Sequence, residues 1–194
     1  MRRATIPGTT THDDLLRRVA AHARNPSRAL PPAAGRADVA EAERQLGFGL
    51  PALLARLYTE VANGGFGPEY CLFPLIGEGR TATSAHRAEY GPAHGRADLP
   101  PHWPHGVLPV LDWGCAMYAA VDCLHPDAPV LLFEPNAGPE DRADAGFEDS
   151  PSLAAWLESW LSGTGWWEEE VMLGPAAVEP RPWPDASRRL RGHS

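Results

Sequence analysis

The stretch at residues 57–77, "LYTEVANGGFGPEYCLFPLIG", constrains the fold more than any other part of the chain. An apolar pattern at helical spacing runs into Asn63-Gly64-Gly65-Phe66-Gly67, and an apolar, strand-like run follows at once. Such a glycine cluster is either a phosphate cradle or a corner. A cradle needs a strand, then the glycines, then a helix whose N-terminus faces the anion. Here a helix ends at the glycines, so its carbonyl end would repel phosphate. No Lys-Ser/Thr pair follows, and the chain holds no lysine at all. The pattern therefore predicts a corner. Gly64 takes the left-handed position after the helix, and Gly65 and Gly67 let the chain reverse. Phe66 either staples the corner to a sheet or stands out as a partner anchor.

Helical periodicity places further elements around this corner. Residues 11–24 read as a helix with Thr11 as its cap and Leu15, Leu16, Val19, Ala20 and Ala23 on one face. A Pro-rich break follows, which sets this helix apart as an appendage. A second helix begins at Asp38 and ends at Gly47, and a third opens at Pro51 and carries Leu53, Leu54, Leu57, Tyr58 and Val61. Strands are expected at 70–76, 107–111, 116–122 and 129–133. Prolines in the first two point to edges or bulges, and short connections favour antiparallel neighbours. Residues 78–106 read as a polar insertion, and 134–149 as an acidic loop with six carboxylates and one arginine. A last helix, capped by Ser150, carries Leu153, Trp156, Leu157, Trp160 and Leu161. The Pro-rich and then Arg-rich tail is expected to be poorly ordered. Helices, then strands, then a helix give an α+β class with helices packed on an antiparallel sheet. The divisions are 1–36, an extension with a Pro-rich linker; 37–162, the main domain; and 163–194, a Trp-containing extension with an Arg-rich tail.

The combination Leu46-Gly47, Leu50-Pro51 and Asn63-Gly64-Gly65, then "LPVLDWGCAMYAAVDC" with Asp112, Trp113 and Gly114 at a turn, then "SLAAWLESWL", resembles the SUKH superfamily, also known as the cell-wall assembly regulator family. The likeness spans about residues 37–162. It implies a bent antiparallel sheet with helices against it. It also implies a protein-binding role: many bacterial members resemble immunity proteins that neutralise polymorphic toxins, often nucleases or deaminases, and others are regulatory modules. The resemblance implies no catalytic residues.

Composition narrows the partner. A net charge of −8 argues against general nucleic-acid binding. Three cysteines give no paired framework, and Cys115 and Cys123 read as small buried residues of a cytoplasmic protein. The N-terminal arginines precede no apolar core, so a signal peptide is not expected, and no run reaches the roughly 18 apolar residues of a membrane span. Asp98, His102 and His105, with His86 or His94, could in principle bind a divalent metal, but without close-set ligand pairs no metal or cofactor is expected. Glu78, Asp112 and Glu134 could be paired carboxylates, yet there is no G-x-S-x-G motif, and no enzyme is expected. The candidate partner contacts are Phe66, Asp112, Trp113, Glu140, Asp141, Asp144 and Trp167. A toxin domain is the leading partner; the alternative is a regulatory or scaffold module whose Arg188, Arg189 and Arg191 dock on an acidic surface.

Overall fold

A computed structural model of the chain describes residues 7–24, 29–69, 71–90, 103–137, 145–172 and 181–191. The first helix, α1 (Pro7–Ala23), begins with proline in its first turn, so Thr11 lies inside it and does not cap it. It is not an appendage. Leu15, Leu16, Val19 and Ala23 are buried in the same core as the later helices and the sheet. In α2 (Arg36–Leu46) the cap is Gly35, and Asp38 sits at the third position, where its carboxylate accepts the Gly35 N–H at 2.8 Å. Gly47 closes the helix in the left-handed region, as its sequence position predicts.

The helix α3 (Ala52–Arg56) continues into a π-helical turn at Leu57–Val61 and ends on an extended Ala62. Gly64 is left-handed as expected, with φ +80°, but it stands two residues beyond the extended Ala62 that ends the helix. What fixes Gly64 is proximity. A Cβ there would lie 2.5 Å from the Phe73 carbonyl group, so no side chain fits, Asn included. The rest of the corner satisfies its polar groups locally. Gly65 N–H donates to the Leu72 carbonyl and Leu72 N–H to the Phe66 carbonyl. Asn63 receives the Leu75 N–H and donates to the Ile76 carbonyl, at 2.8 and 2.9 Å. The Tyr58 hydroxyl donates to the Phe73 carbonyl. These bonds explain why residues 71–76, within the apolar run predicted as a strand at 70–76, do not form one. Their hydrogen-bonding groups go to side chains and to the corner. Among the described residues, one ladder-like bond remains, from the Phe73 N–H to the Val110 carbonyl.

Within the expected polar insertion lies a further helix, α4 (Ala82–Tyr90). Thr81 and Ser84 cap it reciprocally: each backbone N–H donates to the other's hydroxyl, at 2.8 and 3.0 Å. The sheet follows as an antiparallel meander, β1 (Val107–Gly114), β2 (Met117–Asp122), β3 (Val130–Phe133), β4 (Gly146–Ser150) and β5 (Arg181–Pro182), in that spatial order. Pro109 is tolerated because β1 is an edge strand and is bulged there. Strand β4 comes from the end of the expected acidic loop, and Ser150 is its last residue. The cap of α5 (Leu153–Ser162) is instead Ser152, which accepts the Ala155 N–H at 3.1 Å. The short helices α6 (Glu169–Met172) and α7 (Ala186–Arg191) complete the described residues.

Both faces of the sheet are buried, so its strands read as nearly continuous apolar runs. Ala119, Val121, Val130 and Leu132 face a large inner core built with α1, α3 and α5, while Tyr118, Ala120, Leu131 and Phe133 face a smaller outer cluster with Trp103 and Trp183. The expected α+β arrangement, helices against an antiparallel sheet, is present. The tail expected to be unstructured supplies β5, α7 and part of the outer cover.

Candidate protein-interaction surface

One end of the sheet carries Asp112, the one candidate contact that the described residues place at an exposed polar site. The turn joining β1 to β2 is Cys115-Ala116, not Asp112-Trp113-Gly114, which lie within β1. Both turn residues have positive φ, 50° and 64°, as a two-residue hairpin turn of the mirror-image type requires. A bulge between Asp112 and Gly114 brings Asp112 opposite Tyr118. Asp112 accepts the Gly114 N–H at 2.7 Å and pairs with Arg80 at 2.7 Å. The Arg80 guanidinium also donates to the Tyr118 hydroxyl and lies 5.3 Å from the centres of the Phe73 and Tyr118 rings. Arg80 is 51% exposed and Asp112 26%, so this pair stands at the surface.

The β3–β4 connection meets the same end. A 3₁₀ turn at Pro135–Ala137 follows β3, and Asn136 donates to the Cys115 carbonyl at 2.7 Å. Glu134 accepts the Asn136 N–H at 2.7 Å, while its own N–H donates to the Ala145 carbonyl. The two flanks of residues 138–144 are thus fastened together beside the β1–β2 turn. Glu140, Asp141 and Asp144 themselves lie outside the described residues.

On the opposite side of β1, Trp113 is buried and joins a tryptophan cluster. Its ring centre is 5.1 Å from that of Trp166 and 5.4 Å from that of Trp167, which stacks on it. Trp167 also meets Trp156 at 5.4 Å. Beneath them Asp149 accepts the Trp156 N–H at 3.0 Å. Burial pushes the Asp149 carboxyl up to about 6, against the opposing pull of the Trp166 and Trp156 indoles. Only Trp156 closes a bond of good geometry; the Trp166 N–H is buried without one. Trp113 is therefore a core residue, whereas Trp167 remains half-buried at the rim. Phe66 is 2% exposed, its ring 6.5 Å from that of Trp160. It staples the corner and offers no surface anchor.

The candidate chemistry elsewhere does not assemble. His86 is buried, its ring stacked on Tyr90 and edge-on to Phe48, and its Nε2 meets no partner. Burial, then the nearby His105, pushes its imidazole down to about 4. His105 lies edge-on to the same Phe48, while Asp98, His94 and His102 fall outside the described residues. Among the described residues no group of three or more His, Cys, Asp or Glu could hold a metal. Asp112 is used by the Gly114 N–H and the Arg80 guanidinium, and Glu134 by the Asn136 N–H. Cys115 is exposed at the turn and Cys123 half-buried; they flank opposite ends of β2 with free thiols. Burial pushes the Cys123 thiol well above its usual range.

Sequence reasoning missed Arg80, Tyr118 and Asn136. Nothing local in the sequence marked them: Tyr118 gains its place from the bulged register and Asn136 from the turn after β3. No helix among the described residues is long and apolar enough to cross a membrane. No curated protein matches the chain. The SMI1 / KNR4 family (SUKH-1) model matches residues 33–159, from the break before α2 almost to the end of α5. Membership supports an immunity or regulatory interaction role in general terms. From the glycine corner through the meander to the tryptophan-bearing α5, the chain belongs to the SMI1 / KNR4 family (SUKH-1).

Proposed function

We propose that this chain is a cytoplasmic, non-enzymatic immunity domain that binds a protein toxin through the acidic end of its sheet. The observation that supports the reading is that the flanks of the segment carrying Glu140, Asp141 and Asp144, joined through Glu134 and Asn136, are tied to the β1–β2 turn next to the bulge that holds Asp112, with Trp167 half-buried behind it. A nuclease toxin presents a basic cleft, and carboxylates clustered on a rigid end steer and hold such a surface. Trp167 supplies aromatic area of the kind that dominates binding energy. In the regulatory alternative the arginine tail is the docking element. Arg189 is engaged internally and so is withdrawn from that docking element, while Arg188 pairs with Asp185 at the surface.

Co-expression with any toxin domain encoded beside its gene tests the reading. Protection of growth by the wild-type chain, lost on the double change Glu140→Arg and Asp144→Arg in a folded protein, is the expected result. Protection that survives this reversal would place the toxin contact elsewhere, and absence of protection against every such toxin would remove the immunity reading.

A further inference from the structure

The outer face of the sheet is closed by a short segment beyond the family match. Strand β5 adds two residues to β4 through the pairs Phe147–Pro182 and Glu148–Arg181, and Trp183 N–H donates to the Gly146 carbonyl at 2.9 Å. Helix α7 is too short to persist alone. Trp183, Ala186 and Leu190 lie over Trp103, Leu131 and Phe133, with a small gap left between the two sides. Arg189 fastens the segment. Its guanidinium pairs with the Asp122 carboxylate, donates to the His105 carbonyl at 2.6 Å and lies 5.2 Å from the centre of the Trp183 ring. The Asp122 side chain is 4% exposed and that of Arg189 16%.

Every one of these contacts is of a kind that a separate peptide could make. The receiving half, comprising Asp122, the His105 carbonyl, the apolar outer residues and the β4 edge, lies within the family segment. The donating half lies outside it. We propose that residues 181–191 are a releasable strap that acts as a built-in pseudo-ligand, occupying a docking site for an arginine-bearing, partly extended segment of a partner protein. Such a segment would add along β4, set an apolar side chain into the gap and seat its guanidinium between Asp122 and the His105 carbonyl. The guanidinium seat lies at the other end of β2 from Asp112, and the proposal stands independently of the immunity reading.

A fluorescent peptide of residues 181–191, titrated against the full chain, tests this. Wild type should bind it weakly, because its own strap competes. Arg189→Gln leaves the seat intact and loosens the strap, so it should bind the peptide at least about tenfold more tightly. A peptide carrying Gln in place of Arg189 should lose binding, as should the double variant Asp122→Asn/Arg189→Gln. No gain in a natively folded Arg189→Gln protein would overturn the proposal. Should that variant fail to fold, hydrogen exchange on wild type decides instead. The Trp183, Ala186 and Arg189 amides should exchange at least about tenfold faster than those of β2 and β3, through local opening. Equal rates would mean that the strap opens only with the whole fold, and would overturn it too.

Discussion

Two Asp–Arg pairs stand near opposite ends of β2. At one end Asp112 and Arg80 face solvent; at the other Asp122 and Arg189 are almost enclosed. The chemistry is the same and the setting differs. An exposed pair is screened by water and contributes little, so its charges remain available to a partner. An enclosed pair has already given up its hydration, and removing one member leaves the other stranded. On the proposed readings, the open end meets a partner directly, whereas the closed end does so only when its strap is released.

Removing the arginine from each pair is the strongest way to break this comparison. Arg189→Ala should cost roughly 2–3 kcal/mol in urea unfolding, short of the ~3–5 kcal/mol for a stranded buried charge, because the strap can lift and let water reach Asp122. Arg80→Ala should cost less than about 1 kcal/mol. Equal costs would erase the distinction between the two ends.

Asp149 sharpens the same contrast, being a buried carboxylate with the Trp156 indole N–H in place of a guanidinium. Its folded value, about 6, lies above the ordinary carboxylate range. The folded state therefore holds this proton more tightly than the unfolded chain. The stability from that proton is complete below about pH 4 and is lost as pH rises to about 6. Asp149→Asn, which keeps an acceptor for Trp156, should be more stable than wild type by about 2 kcal/mol at pH 7, with the difference vanishing near pH 4. Unfolding curves across this range read the effect directly; a pH-independent difference would mean that Asp149 has found a compensating partner.

The smallest effect concerns the open end alone. Ala116 has φ 64°, a conformation that costs an L-residue strain and glycine almost none. Ala116→Gly should raise the midpoint of thermal unfolding slightly, by up to about 1 kcal/mol of stability, while leaving partner binding unchanged. A loss of stability would show that chain entropy outweighs the strain.

The inner architecture was largely legible in the sequence because periodicity encodes it. Leu53, Leu54 and Leu57 repeat at helical spacing, and Ala119, Val121, Val130 and Leu132 alternate, so core faces follow from pattern alone. What failed was set by tertiary hydrogen bonds. Residues 71–76 have strand composition, but Asn63 and Tyr58 take the groups a ladder would use. Helix α4 hid within a polar run, since its start is a Thr81/Ser84 cap and not an apolar stripe. The tail looked like a solvated basic end because nothing local reveals that Asp122, 67 residues earlier, receives Arg189. The candidate surface was only partly readable. Asp112 was named, while Arg80 and Tyr118 join it through the bulge, and Phe66 and Trp113 proved to be core.

The central claim is that the open, acidic end receives a basic partner. The direct measurement is the association rate with the cognate toxin domain across a range of salt concentrations, for wild type and for Glu140→Arg/Asp144→Arg. The account predicts a wild-type rate that falls steeply with salt, and a charge-reversed rate at least about tenfold lower at low salt, the two converging at high salt. Equal rates for both proteins at low salt would contradict it.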